Sequence, residues 1–491
     1  MAHSSSPIAW FLGSVLVASL ALTGCRSTNS LLWQYENQMG VGNYPAAAES
    51  VRKAAEKENG DELLWHLLAG NAYLLAGQPE KTTIHLDAAE DLFADGDSAS
   101  PFVAGAQQAK AILGSELSFP YRGFGQDRVF CCLYKGLAYA SLGNVAAART
   151  ELNRAAQHQE NWLFERRNEI AAAEEKLEKA VASQSAEASN TVDPMGQQEI
   201  FWRDPDFAQA IRENTGFDLA SSGDLSRLAT ADYTNAYLNH FCGVFRWLQG
   251  DGGREFLRDA VGQVPQSSVL QRDWQEIDRG VRPQNQVWIY VEDGLSLERV
   301  EWRLDLPLFL IPELGRYVLY AGMAFPRLVE RSAAAEQYWV KSEQGQIPLD
   351  LLENMDRLVR TEYDVYMRGA VKREIVRTLT KVSLQVALQI AVKNTTEDGA
   401  KLDLKLAQIG VAGWAASTTQ ADLREWVSLP KVVWVGHVPR PQDGHLVLSA
   451  RAGGAEQNLE VILPEGNSII WVRKLNAYVP MTARVLTYPN R

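Results

Sequence analysis

"GLAYASLGNVAAARTELNRA", Gly136–Ala155, decides the first half of the fold once it is laid over "GNAYLLAGQPEKTTIHLDAA", Gly70–Ala89. Both stretches begin with Gly (Gly70, Gly136) and place Tyr at plus three (Tyr73, Tyr139) and Gly at plus seven (Gly77, Gly143). Both then carry Leu at plus sixteen (Leu86, Leu152) and Ala at plus nineteen (Ala89, Ala155). The pattern reads as a helix, a glycine turn and a second helix. Small residues let the two helices approach, Tyr and Leu fill the space between them, and the second Gly makes the turn. It encodes packing and no chemistry.

With Ala148 four residues before Leu152, the pattern resembles the tetratricopeptide repeat, a helical hairpin of about 34 residues. The same turn occurs at Gly42-Asn43, and "GVFRWLQGDGGREFLRDA" from Gly243 keeps the Gly243–Gly250 spacing, with Arg246 in place of Tyr and Leu257 and Ala260 two positions early. Between the good copies, "SFPYRGFGQDR" enters a helix near Asp127, whose carboxylate suits its cap. Residues 161–182, rich in Glu, Lys, Arg and Ala, extend the helical region, and a polar break follows at 183–194. Stacked hairpins offer a long concave surface to peptides or protein segments.

From Pro283 the pattern changes. Short β-branched and aromatic runs such as "QVWIYVED", "AGMAFP", "KVVWVGHV" and "SIIWVRKL" alternate faces, as Val287, Ile289 and Val291 do against Trp288 and Tyr290. Residues 349–416 interrupt the strands with apolar positions at helical spacing, including Leu358, Val365, Val371, Ile375 and Leu379. The expected fold is therefore α+β. An N-terminal helical tetratricopeptide-like repeat domain (31–282) precedes a mostly antiparallel β-sandwich-like domain (283–491) with that helical segment inserted.

The N-terminus speaks of location. Residues 8–22 are apolar and free of charge, of signal-peptide length rather than the ~20 residues of a spanning helix. They end in Leu22-Thr23-Gly24-Cys25, which resembles the lipobox of bacterial lipoproteins. That resemblance implies a signal peptide over 1–24 cleaved between Gly24 and Cys25, lipid on Cys25, and a tether over 25–30. Arg26, where Asp signals inner-membrane retention, implies the outer membrane and a periplasm-facing protein. The balance of 48 basic and 60 acidic residues gives a net charge of -12, which disfavours nucleic acid as a partner.

Several stretches taken in order resemble an uncharacterised family of bacterial envelope lipoproteins: the lipobox, "YRGFGQDRV", "VEDGLSLERVEWRLDLPL", "MDRLVRTEY" and "ADLREWVSLP". The resemblance implies no activity and supplies no catalytic residues. It associates the chain with proteins resembling activators of cell-wall synthesis. The expected partners are the membrane, through the lipid, and an envelope protein, with the cell wall as a further contact.

Signatures of hydrolases, metalloproteases, nucleotide and dinucleotide sites are absent, so no catalytic residue, metal or cofactor is expected. "QGDGGREF" lacks the Lys-Ser/Thr of a phosphate loop and reads as a turn. His437 and His445 flank "VPRPQDG" and are expected across a hairpin, two ligands short of a structural zinc site. Cys131, Cys132 and Cys242 are compatible with one disulfide to Cys242 or with three packed thiols. The first expectation for function is a non-enzymatic adaptor. The alternative is a glycan-binding or hydrolytic β domain, which a deep pocket lined by convergent acids or histidine at Asp293, Asp422 or His437 would support.

Overall fold

The computed structural model describes residues 30–57, 60–98, 117, 119–162, 203–219, 233–306, 318–343, 345–396 and 398–490. Gly24, Cys25, the signal peptide, most of the tether, most of 161–182 and all of 183–194 lie outside the described residues. The chain is mixed α+β, helical first and then largely β.

The helical half opens with α1 (30–40), α2 (Tyr44–Ala55), α3 (Glu62–Leu75) and α4 (Pro79–Ser98). It continues with α5 (Gly125–Ser141), α6 (145–162), α7 (Pro205–Thr215), α8 (Ala236–Gln249), α9 (Arg254–Gln263) and α10 (Ser268–Asp278). α3–α4, α5–α6 and α8–α9 are three hairpins. Gly77 and Gly143, each at φ 74°, supply the left-handed turn after the first helix of the first two. Asp127 lies in the first turn of α5, where it accepts the backbone N–H of Phe124 at 2.8 Å and the Tyr121 hydroxyl at 2.6 Å.

The leading glycines sit where the helices of each hairpin cross. A Cβ on Gly70 would stand 2.5 Å from Leu86 Cδ2, one on Gly243 2.7 Å from Leu257 Cδ2, and one on Gly136 3.1 Å from Leu152 Cδ2. Leu86, Leu257, Ala89, Ala148, Ala155 and Ala260 are wholly buried. Tyr73 is buried against His85, ring centroids 5.3 Å apart, with its hydroxyl on Glu49 of α2; Tyr139 is half-buried with its hydroxyl toward Asp87. Gly70→Ala and Gly243→Ala are expected to cost about 1–3 kcal/mol each by overpacking, and Gly136→Ala less. Denaturant midpoints check the order; equal losses at all three positions would contradict it.

The second half contains β1 (Gln286–Asp293), β2 (Glu298–Leu306), β3 (Ala321–Val329), β4 (Gln337–Ser342), β5 (Gly345–Pro348) and β6 (Asp350–Asn354). After α11 (Met355–Asn394) and α12 (Asp398–Ser417) come β7 (Val432–Pro439), β8 (His445–Ala452), β9 (Ala455–Ile462), β10 (Asn467–Lys474) and β11 (Thr482–Tyr488). They form a five-stranded sheet, β11-β10-β1-β7-β6, a four-stranded sheet, β5-β4-β8-β9, and the β2–β3 pair. β1 runs parallel to β10, and the other pairings are antiparallel. Helical spacing in the sequence extends the expected helix back to 349. Residues 350–354 are instead strand, because β7 pairs with them, and Asn354 then caps α11 by accepting the Asp356 N–H.

The alternation seen in "QVWIYVED" separates two buried faces. Val287, Ile289 and Val291 share an apolar cluster with Tyr338 and Val340 of β4, Leu446 and Leu448 of β8, and Ile470 and Val472 of β10. Trp288, Tyr290, Ile469 and Trp471 face the other way, into one core with Leu64, Trp65, Phe130, Tyr134, Tyr237 and Phe241 of the first helices. The core therefore runs unbroken across residue 283. The helices α3, α5 and α8, most of whose residues are buried, lie between their partner helices and the five-stranded sheet.

α11, at 40 residues about 60 Å long, extends beyond this core. Leu358 and Val365 join the main core, while Val371, Ile375 and Leu379 pack on Met323 and Phe325 of β3 and on Phe207 and Ile211 of α7. Its last part pairs with α12 to make an arm.

Candidate functional site

Three buried polar networks tie the helices to the strands. In the first, Glu292 of β1 is fully buried, and its two carboxylate oxygens accept the hydroxyls of Tyr134 (2.8 Å, α5) and Tyr237 (3.0 Å, α8). Arg473 stands opposite it on β10, also fully buried, with Nε 3.9 Å from Glu292 and donors to the carbonyls of Glu292 and Ser428, both at 3.0 Å. Burial pushes the Glu292 carboxyl up, and Arg473 with the hydroxyls opposes that. Tyr35 of α1 adds a bond to Ser428 at 3.0 Å.

The second network centres on Asp273 of α10. It accepts from His240 Nε2 of α8 at 3.0 Å, His437 Nδ1 of β7 at 2.5 Å and Trp288 Nε1 of β1 at 2.8 Å. Tyr290 and Gln286 hold the far nitrogens of the two imidazoles at 2.8 and 3.1 Å. Burial raises the Asp273 carboxyl, but the two histidines outweigh it and hold the group well below the usual carboxylate range.

In the third, Arg424 reaches Asp422 and, across to the helical half, Asp61 and the Phe119 carbonyl, each at 2.8 Å. Glu425 accepts the Arg299 N–H at 2.9 Å.

The residues that would mark a β-domain pocket, Asp293, Asp422 and His437, are thus separately engaged. Asp293 accepts the Ala334 N–H at 2.6 Å, Asp422 serves Arg424, and His437 serves Asp273. Trp288 pairs with His437 and Asp293 with Val432, so Asp293 and His437 stand five residues apart along one strand pair, about 17 Å. His437 and His445 do not face each other either. "VPRPQDG" carries the chain from one sheet to the other, leaving His437 buried and His445 exposed. Cys131, Cys132 and Cys242 are free and buried; burial pushes the Cys132 and Cys242 thiols up to about 12.

Two sets of possible metal ligands are already engaged. Glu90, Cys132 and Glu151 surround the buried ammonium of Lys135, which is 2.5 Å from Glu90, 2.6 Å from Asp87 and 3.4 Å from Glu151. Asp273, Glu276 and His437 are close, but the Asp273 oxygens are taken by two imidazoles and an indole, with Arg272 at 3.9 Å. An open cleft of about 410 Å³ between α7, β3 and α11 is lined by Glu213, Thr215, Arg327, Arg360, Tyr363 and Asp364. It contains none of the predicted acids or histidines.

Burial also raises Asp293, to about 6 from an ordinary 3.8, and Glu425, to about 7 from 4.5. The folded chain then keeps protons that the unfolded chain releases between about pH 4 and 7. Stability is expected to fall as pH rises through that window, by up to about 1.4 kcal/mol per pH unit for each group. Asp293→Asn with Glu425→Gln should flatten the slope of unfolding free energy against pH; an unchanged slope would contradict the assignment.

No protein-family model, curated protein or solved structure matches this chain. Its surface chemistry must carry the reading. The arm is the feature that departs most from an ordinary soluble surface. Three of its polar side chains turn inward: Gln385 bonds the backbone of Leu319 and Tyr320 at 2.7–3.1 Å, Lys381 reaches the Ala415 carbonyl and Thr419, and Gln408 is buried. Burial pushes the Lys381 ammonium down to about 8. Five of its large apolar side chains turn outward: Leu384 is 40% exposed, Ile390 38%, Leu402 59%, Leu406 53% and Ile409 61%. Sequence reasoning recognised an amphipathic helix in this region but did not single out these five residues.

Proposed function

We propose that the protein is a lipid-anchored scaffold of the bacterial cell envelope, held at the outer membrane through Cys25 and facing the periplasm. In this reading the three hairpins are tetratricopeptide-like repeats, and the two larger sheets form a β-sandwich. The repeat face that would grip a foreign peptide grips the protein's own sheet instead, because Tyr134 and Tyr237 are bonded to Glu292. The partner surface is therefore the arm.

The observation that carries this reading is the outward Leu402, Leu406 and Ile409, an apolar stripe of the kind that marks an interaction site. A photo-crosslinking residue placed at Ile409 in cells should yield a defined protein adduct that is lost on Leu402→Glu with Leu406→Glu. No adduct from the arm would overturn the scaffold reading. Cys25→Ser is expected to move the chain from the membrane fraction to the soluble one. Retention in the membrane would contradict the anchor.

A further inference from the structure

On α12 the exposed residues Leu402, Leu406, Ile409 and Gly413 follow one another at spacings of four, three and four. That is the spacing of a coiled-coil seam, on a face that the described residues leave more than half exposed. Nothing among the described residues requires a glycine at 413: a Cβ there would meet none of their atoms within 4 Å, and a glycine inside a helix is destabilising relative to alanine.

We infer that this seam pairs with the same seam of a second copy of the chain, antiparallel and about a two-fold axis. The register follows from shape. Opposing Leu406 to the partner's Ile409 also opposes Leu402 to the partner's Gly413, so each long side chain meets the gap a glycine leaves. The same contacts repeat on the other side of the axis, as an isologous interface requires.

Charge selects the same orientation. Asp398 and Asp403 flank the seam at the positions that meet across a parallel pair, so parallel helices would set them side by side. Antiparallel pairing keeps them apart. It places Lys405 opposite the uncharged stretch that runs from 406 to 421.

The inference rests on reading the arm as the contact surface, and the experiment separates the two. The full chain, solubilised with its anchor, is sized by light scattering beside Gly413→Leu, which fills the gap from a position whose Cβ has no described atom of its own chain within 4 Å. The expected result is a dimer for the natural chain and a monomer for Gly413→Leu, with unchanged circular dichroism. Separately, Leu406→Cys and Ile409→Cys proteins are mixed and oxidised, and disulfides are mapped by mass spectrometry. Disulfides joining 406 to 409 are expected to exceed 406 to 406. A monomeric natural chain, a Gly413→Leu dimer, or a predominance of 406–406 links would each overturn the pairing. A monomer whose arm still crosslinks to another envelope protein defeats the pairing alone, whereas an arm that crosslinks to nothing defeats the scaffold reading too.

Discussion

Replacing Arg473 by methionine is expected to lower the free energy of unfolding by about 3–5 kcal/mol, because it leaves Glu292 buried without its counter-charge. Both side chains are fully buried, and Glu292 also holds the two tyrosine hydroxyls that reach it from α5 and α8. The damage should therefore not stay within the sheet. Combining Arg473→Met with Glu292→Gln is expected to recover a substantial part of the loss, since an amide carbonyl still accepts a tyrosine hydroxyl and no charge remains to be desolvated. Denaturant midpoints of the natural, single and double variants measure this. Additive losses in the double variant would show that the pair is not coupled.

Asp273→Ala is expected to cost a similar amount, about 3–5 kcal/mol, by orphaning three buried donors at once, on His240, His437 and Trp288. Asp273→Asn should cost less, about 1–3 kcal/mol. An amide offers one oxygen to His240 or Trp288, and a shift of the His437 proton to Nε2 lets Nδ1 accept from the new amide while Gln286 accepts the moved proton. Unfolding measurements on the two variants test the ranking. An Asn variant as unstable as the Ala variant would mean that the charge of Asp273, rather than its hydrogen bonds, holds α10 and α8 to the sheet.

The local patterns were legible because each reflects a short-range steric demand. Gly70, Leu86, Gly136 and Leu152 lie within one hairpin apiece, and the alternation of Val287, Ile289 and Val291 is the pleat itself. What joins the halves was not legible. Asp273 meets a histidine 33 residues before it and another 164 residues after it, and β1 pairs in parallel with β10 across the whole second half. A single sequence carries no record of such distances. Two signals were nevertheless present. Trp288 and Tyr290, on what would be the wet face of a half-buried strand, are aromatic, and Arg473 interrupts the apolar run "SIIWV" where an uncompensated charge could not be buried. Both announce a sheet covered on its second face.

The arm shows the opposite case. Its apolar positions recur at helical spacing and predict helices that pack, yet Leu402, Leu406 and Ile409 stay more than half exposed. Periodicity tells which residues seek an apolar neighbour. It does not tell whether that neighbour belongs to the same molecule.

The core shared by the helical hairpins and the five-stranded sheet makes them one cooperative body rather than two domains joined near residue 283. Hydrogen exchange followed residue by residue by mass spectrometry tests it most directly. The slowest amides of α3, α5, α8, β1 and β10 are expected to open with one shared free energy, and Arg473→Met to lower it equally in all five. If α3, α5 and α8 kept their protection while β1 and β10 lost theirs, the halves would be independent and the claim would be wrong.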